Sequence, residues 1–304
     1  MKIPSEIAVT LDELTRYEHL VSDFSLLPRQ PVHSVLSGKH ASKLRGRGLD
    51  FSEVRKYVYG DDIRNIDWKV TARTRETHTK VFNEEKERPA FLIIDQSSSM
   101  FFASQGSVKS VLAAKLAAIA GFKVLKAGDR IGGLVFDDKS YEFIKPRRSR
   151  RTFMHLLEVL AAKNQNLVNC QKMLPKQGIM DKVLFQANNI VTHDYVVVVI
   201  SDFQQLDEQG FQYLTSIARH NDLIAALICD PLEMELPSVK MLVGDGTYQI
   251  LLSGKQGIRD KFKASSATIR ENVVKYSRKY GIPLMEFNTI EPLADQLKRI
   301  FGKR

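Results

Sequence analysis

The chain has 304 residues, of which 43% are hydrophobic and 26% are charged, a composition typical of a soluble globular protein with one large core, or one core and a smaller subdomain. No apolar run approaches the ~20 residues of a transmembrane segment, and the N-terminus lacks the apolar region of a secretory signal, so we expect a cytoplasmic location. Two cysteines, Cys170 and Cys229, and seven scattered histidines favour neither a disulfide framework nor a structural zinc site.

The net charge is +10, and basic residues are concentrated in residues 43–48, in KPRRSRR (145–151) and in the C-terminal tail. Such stretches suit either a nucleic-acid or anionic-lipid surface, or a solvated face that docks an acidic protein. Aromatic residues do not interleave with the arginines of 145–151, and no nucleic-acid motif occurs, so nucleic acid is the weaker interpretation.

Residues 1–88 differ in pattern from the rest and are predicted to form an N-terminal α+β subdomain. LDFSEVRKYVYGDD (49–62) predicts a short strand that enters a Gly-Asp turn, and THTKVF (77–82) alternates like a second strand. Between them, Ile63, Ile66 and Val70 have helical spacing, which predicts a helix over 63–74.

From Pro89 onward, strands alternate with helices, which predicts one domain over 89–304. Strands are predicted at 90–94, 130–136, 195–200, 222–229 and 282–287, hairpin returns at 137–146 and 239–252, and helices at 108–128, 151–162, 206–220, 257–280 and 291–301. The strands are apolar throughout and have helices between them, so we expect an α/β fold with a mostly parallel sheet buried on both faces. Sites in such sheets form at the carboxyl ends of the strands.

Oxygen-bearing side chains follow two of these strands. Asp95, Ser97 and Ser99 form a D-x-S-x-S pattern within FLIIDQSSSM (91–100), and Asp202 ends VVVVISD. One carboxylate and two hydroxyls suit Mg²⁺ or Mn²⁺ that keeps waters and an open position, which a partner's carboxylate could fill. The alternative is a polar turn in which Asp95 accepts backbone N–H groups and Ser98 or Ser99 caps the next helix. The spacing alone leaves both interpretations open.

The D-x-S-x-S-M pattern after an apolar strand, with a later I-S-D-F, resembles the metal-ion-dependent adhesion site of von Willebrand factor A (vWA) domains. In addition, YVYGDDIRNIDWKVTAR (57–73), followed by KVF (80–82), is similar to the signature of the DUF58 family of vWA-containing bacterial proteins, and GRGLDFSEVRKY (46–57) fits it as well. The resemblance extends from about residue 38 to the end of the chain.

This resemblance implies a Rossmann-like vWA domain and a non-enzymatic role. Relatives are associated with MoxR-type AAA+ ATPases and are thought to act as adaptors or chaperone-like partners in assembling or activating a client protein. The resemblance further implies Mg²⁺ or Mn²⁺ as cofactor, with Asp95, Ser97, Ser99 and Asp202 as ligands.

The sequence departs from the family pattern in the middle of the metal-site motif. Relatives carry a threonine ligand before the helix that precedes the I-S-D-F strand, whereas KQGIMDKVLF (176–185) places Ile179 or Met180 there, followed by Asp181. A thioether or an alkyl group is a poor ligand for Mg²⁺. We therefore expect a site that binds metal weakly, that uses Asp181 instead, or that is vestigial.

Within residues 57–73, the bulky polar side chains of Arg64, Asp67, Trp68 and Arg73 admit two interpretations. They could form a recognition surface, or they could tie a small subdomain to the sheet through Asp–Arg pairs and one packed tryptophan, which is the interpretation favoured here. Asp61 and Asp62 are predicted to be turn and cap residues.

No pattern favours an enzyme. The chain has no G-x-S-x-G, no Walker A motif and no G-x-G-x-x-G after a strand, and residue 97 is a serine where an aspartyl-phosphate chemistry would need a second carboxylate. A metal-dependent hydrolase remains an alternative only because of the oxygen cluster, and a basic nucleic-acid-binding protein on the same fold is the other alternative.

Overall fold

The structure, a computed structural model, describes residues 4–19, 49–84, 88–169, 178–234, 241–244, 249–252 and 270–301. The chain divides into two compact units. The larger unit comprises Met1–Ser34 and Arg88–Arg304, and the smaller comprises Val35–Glu87.

In chain order, the described strands are β1 (Leu49–Lys56), β2 (His78–Glu84), β3 (Ala90–Asp95), β4 (Ile131–Phe136), β5 (Tyr141–Arg147), β6 (Val196–Ser201), β7 (Asp222–Cys229), β8 (Met241–Gly244), β9 (Gln249–Leu252) and β10 (Leu284–Asn288). The described helices are α1 (Leu11–Arg16), α2 (Trp68–Thr74), α3 (Lys109–Ala127), α4 (Arg150–Asn169), α5 (Ile179–Ile190), α6 (Glu208–Ala218), α7 (Pro231–Met234), α8 (described over 270–280) and α9 (Leu293–Phe301). Short 3-10 helices occupy Ile63–Asn65 and Ser98–Met100.

The larger unit is built on a six-stranded sheet in the order β10-β7-β6-β3-β4-β5. Every neighbouring pair is parallel except β4 and β5, which form the predicted hairpin return. The predicted α/β fold class, with a mostly parallel central sheet flanked by helices, is confirmed. Strands β8 and β9 pair antiparallel, as predicted for the hairpin at 239–252.

Helices cover both faces of this sheet. All six residues of β3 are buried, and alternate side chains enter two apolar clusters. Leu92 and Ile94 pack in the cluster that contains residues of α3, α4 and α9, whereas Phe91 and Ile93 pack in the cluster of α5 and α6. The continuous apolar character of the strand follows from this double burial.

The N-terminal segment belongs to the larger unit, whereas the sequence pattern grouped it with the rest of 1–88. The backbone N–H of Val9 donates to Asn164 Oδ1 at 2.8 Å, and Leu14 is fully buried in the same apolar cluster as α3 and α4. Helix α1 is fixed by a capping box between Thr10 and Glu13. Contacts of this kind join residues about 150 positions apart, and local composition carries no trace of them.

The smaller unit contains the antiparallel pair β1 and β2, as predicted, but the single helix expected over 63–74 is interrupted. Ile66 is extended and forms an isolated bridge with Thr79, and Asp67 caps the start of α2 by accepting from the N–H groups of Lys69 and Val70. The helical spacing of the apolar residues is real, but pairing with β2 takes Ile66 out of the helix.

Two further helices differ from the expectation. Helix α4 continues to Asn169, beyond the predicted end at residue 162. The sequence pattern did not single out α5, which packs beside α6 on one face of the sheet. None of the described helices combines the length and the apolar character needed to cross a membrane.

Candidate functional site

The candidate site lies where three neighbouring parallel strands end. Strands β3, β6 and β7 are adjacent in the sheet and run in one direction, so the loops that follow Asp95, Ser201 and Cys229 emerge at the same edge. This is the carboxyl edge at which the sequence predicted the polar residues to meet.

Asp95 links two of these loops. Its Oδ1 accepts from the backbone N–H of Ser97 at 2.8 Å, and its Oδ2 accepts from the hydroxyl of Ser201 at 2.6 Å. The side chain is almost fully buried. Burial, together with the nearby charge of Asp202, raises the pKa of Asp95 to about 7. Both carboxylate oxygens are therefore already engaged by the protein.

The serines form a compact turn after Asp95. The hydroxyls of Ser97 and Ser99 lie 3.1 Å apart, and the N–H of Ser98 donates to Asp138 Oδ2 at 2.8 Å. Ser97 precedes a 3-10 helix without a side-chain capping bond, and α3 begins only at Lys109. The proposed cap of the next α-helix by Ser98 or Ser99 is therefore not formed, whereas the turn through Asp95 is.

Asp202 is held by a buried lysine. Lys109 Nζ donates to Asp202 Oδ2 at 2.8 Å and to Glu233 Oε1 at 2.6 Å, and the lysine side chain is 0% exposed. The side-chain amide of Gln204 donates through Nε2 to the same Glu233 oxygen at 3.0 Å. Burial alone would lower the pKa of Lys109, but the charges and hydrogen bonds of Asp202 and Glu233 outweigh it and raise the pKa.

The backbone after Asp202 is strained. Phe203 has φ 56°, an uncommon conformation for a bulky residue, and its N–H donates to Ser201 Oγ at 2.9 Å. The phenyl ring is buried in the apolar cluster of α5 and α6. Burial of this ring and the Ser201 hydrogen bond together hold the strained turn that positions Asp202.

A chain of buried amides orients the loop from the other side. Gln96 Nε2 donates to the carbonyl of Ser110 at 3.1 Å, and Asn164 Nδ2 donates to Gln96 Oε1 at 2.9 Å. Asn164 in turn receives the N–H of Val9. The N-terminal segment thereby supports the D-x-S-x-S loop through α4.

Asp181 lies apart from this cluster, against Asp207 at the start of α6. Burial and the like charge of Asp207 raise the pKa of Asp181 to about 6. Ile179 and Met180, at the place of the missing threonine, are buried in the apolar cluster of α5 and α6. Cys170 lies outside the described residues. Residues 178–185 therefore contribute core side chains and Asp181, one member of a carboxyl pair.

The residues present fit a divalent cation only in part. The hydroxyls of Ser97 and Ser99 are close enough to share one ion, but both oxygens of Asp95 are engaged and Asp202 is bound to an ammonium group. Within the part of the chain that the structure describes, no group of three or more His, Cys, Asp or Glu side chains is arranged to hold a metal. The donor set as a whole therefore does not fit the implied Mg²⁺ or Mn²⁺ site.

Sequence motifs located Asp95, Ser97, Ser99 and Asp202 but missed Lys109, Asp138 and Glu233. A signal for Lys109 was present: it precedes Leu112 by three residues and Leu116 by seven, and so lies on the apolar face of α3. A lysine on a buried face needs an acidic partner.

The signature residues of the smaller unit are largely exposed. Trp68 is 70% exposed and does not act as the packed tryptophan of the favoured structural interpretation. Arg64 and Arg73 are also exposed, whereas Asp67 caps α2 and lies 3.7 Å from Lys80 Nζ. The packed tryptophan is therefore not observed, and Asp67 contacts a lysine and two backbone N–H groups within the smaller unit instead of the predicted arginine.

The predicted turn roles of the two neighbouring acids are confirmed. Asp61 accepts from both terminal nitrogens of Arg55, at 2.7 and 2.8 Å, and from the N–H of Val58 at 2.9 Å. Asp62 caps the 3-10 helix by accepting from the N–H of Arg64 at 3.0 Å.

The basic stretch 145–151 spans the end of β5 and the start of α4, at the edge of the sheet. Lys145 and Arg147 are exposed there, and Arg150 pairs with Glu18 at 2.9 Å.

Comparisons with known proteins give the following likenesses. Residues 53–272 match the model of a family described as a protein of unknown function, DUF58. Uncharacterized proteins of Mycobacterium tuberculosis and Mycobacterium bovis are 28% identical over 287 residues, which cover 92% of this chain and 87% of each relative. Among solved structures, the conserved hypothetical protein BatB from Bacteroides thetaiotaomicron matches with a TM-score of 0.39 and 10% identity, over 70% of this chain and 98% of that one.

Proposed function

This chain belongs to the DUF58 family of proteins of unknown function, and we propose that it is a non-enzymatic protein-interaction module that acts as an adaptor or chaperone-like partner of a MoxR-type AAA+ ATPase on a client protein. The ATPase is the partner that the resemblance of residues 57–73 implies. The observation that carries the proposal is an exposed apolar surface in that same stretch.

Four exposed apolar side chains lie within eleven positions of the chain, and we call them the signature surface: Val58, Tyr59, Ile63 and Trp68. Tyr59 is fully exposed, and the other three are each at least 60% exposed. Among the described residues, five of the ten large hydrophobic side chains that are exposed lie in the smaller unit, which is a minor part of the chain. Tryptophan and tyrosine dominate the binding energy of protein interfaces, and grouped exposed apolar residues commonly mark such interfaces.

The charges beside these residues indicate the chemistry of the partner. Arg64 follows Ile63, Lys69 follows Trp68, and Arg73 lies in the last turn of the same helix. All three side chains are exposed. Arginine near aromatic anchors favours a partner that presents an apolar pocket with acidic residues at its rim. The proposal therefore places the ATPase contact on the signature surface and expects the ATPase to present acidic side chains there.

A non-enzymatic role is supported by the state of the polar groups at the sheet edge. Asp95 is engaged by Ser97 and Ser201, and Asp202 is engaged by Lys109, so neither carboxylate has a free oxygen aimed at a substrate in the way that a general base needs. An activity screen in which Asp95→Asn abolishes a metal-dependent hydrolysis would contradict this part of the proposal.

The binding test compares Trp68→Ala with Ile290→Ala, an exposed apolar residue of the larger unit that serves as the matched control. With the MoxR-type ATPase from the same organism, in Mg²⁺ and ATP, we expect Trp68→Ala to weaken binding by at least about 30-fold, the loss of an interface hot spot. Biolayer interferometry measures the affinity, and circular dichroism checks that the melting temperature is unchanged.

Two results would overturn the proposal. The first is an absence of binding between the wild-type protein and the ATPase, and the second is equal binding by Trp68→Ala and Ile290→Ala.

Nucleic-acid binding through residues 145–151 stays a prediction. Its experimental signature would be an affinity for DNA or RNA that falls steeply as the salt concentration rises.

A further inference from the structure

The buried ammonium group at the sheet edge occupies the part of the site where a divalent metal is expected. We propose that Lys109 is the resident cation of this site: its ammonium group, held between Asp202 and Glu233, supplies the positive charge that a divalent metal supplies in an adhesion site of the vWA type. The protein then needs no metal at this edge. The inference concerns the chain alone and does not depend on which partner the signature surface binds.

The contacts of Lys109 are those of a fixed counter-ion. Nζ lies 2.8 Å from Asp202 Oδ2 and 2.6 Å from Glu233 Oε1, in a side chain that is 0% exposed. The residue begins α3, and its backbone N–H donates to the carbonyl of Phe102 at 3.0 Å, so its position is set by the backbone as well. A buried lysine with two carboxylate partners at these distances is charged and tightly held.

The surrounding N–H groups satisfy both carboxylates without a metal. Asp202 Oδ1 accepts from the N–H of Gln204 at 3.1 Å, and the Gln204 amide donates to Glu233. Glu233 Oε2 accepts from the N–H of Asp230 at 3.1 Å. A divalent ion that bound Asp202 would have to displace the ammonium group or lie against it, and like charges at such distances repel strongly in a buried site.

The missing threonine provides an independent observation in the same direction. At its place, Ile179 and Met180 are buried in the apolar cluster of α5 and α6, and Asp181 lies against Asp207. These two apolar residues at the start of α5 fill core positions and offer no oxygen to a metal. The loss of that ligand and the presence of Lys109 are thus two parts of one arrangement.

The decisive measurement is a Mn²⁺ titration of the full-length, EDTA-treated protein, followed by electron paramagnetic resonance of the free ion. We expect no saturable site in the wild type and no change in melting temperature between EDTA and added Mn²⁺ or Mg²⁺. A wild-type site that saturates with one Mn²⁺ and is lost in Ser97→Ala would overturn the inference, whatever any Lys109 variant does.

The second arm removes the ammonium group. In Lys109→Met we expect a saturable Mn²⁺ site that the wild type lacks, because a neighbouring unit charge no longer repels the ion. Adding Asp202→Asn to this variant should remove the gain. Lys115→Met is the matched control on the same helix, since Lys115 Nζ contacts Ser107, and it should bind Mn²⁺ as the wild type does.

A folded Lys109→Met protein that binds no more Mn²⁺ than Lys115→Met would count against the inference. If Lys109→Met does not fold, the wild-type titration still decides. Because neither arm contains the ATPase, their failure leaves the proposed interaction untouched, and a failed ATPase binding test leaves the cation assignment untouched.

Discussion

Two buried ionisable side chains and one partly buried one are stabilised to different degrees in this protein. Lys109 has two carboxylate partners, Asp95 has two hydrogen-bond donors, and Asp181 faces a second carboxylate. Burial disfavours the charged form of each, and the partners decide how far this is offset. The two aspartates have pKa values raised to about 7 and about 6, whereas the pKa of Lys109 moves in the direction that keeps it charged.

The pair of Asp181 and Asp207 gives a pH-dependent prediction. The pKa of Asp181 is raised to about 6 from its ordinary value of 3.8. Between these two pH values, the folded protein keeps a proton on Asp181 that the unfolded chain has already released. Its contribution to stability is therefore present below pH 4 and is lost as the pH rises through 6. Asp181→Asn cannot ionise, and we expect it to stabilise the protein by about 1 kcal/mol at pH 8, after allowance for partial exposure, and by nearly nothing at pH 4.

Urea unfolding at both pH values measures this difference. Asp194→Asn, which removes one exposed carboxylate, is the control. Equal effects of Asp181→Asn at pH 4 and pH 8 would show that the like-charge contact does not operate.

At the site, the sequence could locate the residues that a local motif carries and no others. Asp95, Ser97 and Ser99 lie within five positions of one another, and Asp202 is marked by the strand before it. Glu233 and Lys109 are 124 positions apart and meet only because β7 and α3 are neighbours in the fold. No short-range pattern encodes such a pair. The metal interpretation therefore included the oxygen-bearing residues of the site but not the ammonium group of Lys109, which pairs with Asp202.

Among the elements, long periodic segments were predictable and short ones were not. Strand β7 was predicted with its observed bounds, and α3 within one residue at each end, because double burial and an apolar helix face leave strong patterns. The break between Ile66 and Asp67 depends on pairing with β2, which is a tertiary contact. Tertiary pairing therefore overrides local helical spacing in this segment.

The packing of α3 on α4 gives a prediction that runs against helix propensity. A Cβ on Gly121 would overlap two ring atoms of Phe153. The Phe153 ring also packs edge-on against Phe122, with 5.0 Å between the ring centroids. Gly→Ala in a helix interior ordinarily stabilises by about 1 kcal/mol. Here we expect Gly121→Ala to destabilise the protein by about 2 kcal/mol, because the methyl group overfills the contact.

Thermal unfolding of Gly121→Ala and of the double variant Gly121→Ala/Phe153→Leu tests the mechanism. The smaller side chain in the double variant should recover part of the loss, although Phe153→Leu alone is destabilising. A higher melting temperature for Gly121→Ala would mean that the two helices are not in close contact at this point.

At the scale of the whole molecule, the larger unit is not continuous in sequence. The predicted division at residue 88 followed the change in pattern, whereas the larger unit also includes the N-terminal segment, which the structure describes over residues 4–19. Val9 illustrates the reason, since its N–H and carbonyl contact Asn164 and Gln165 of α4. The same Asn164 supports Gln96 beside the candidate site, so the N-terminal segment bears on the loop that holds Asp95.

Truncation of Leu14 tests whether the N-terminal segment is part of the core. Leu14 is fully buried in the apolar cluster of α3 and α4, whereas Asp12, two residues earlier on α1, is exposed. Truncating a buried leucine removes apolar contact and leaves a cavity, so we expect Leu14→Ala to destabilise the larger unit by about 2–4 kcal/mol. Asp12→Ala should change the free energy of unfolding by less than about 1 kcal/mol. Urea denaturation followed by circular dichroism measures both, and equal midpoints for the two variants would place the N-terminal segment outside the core.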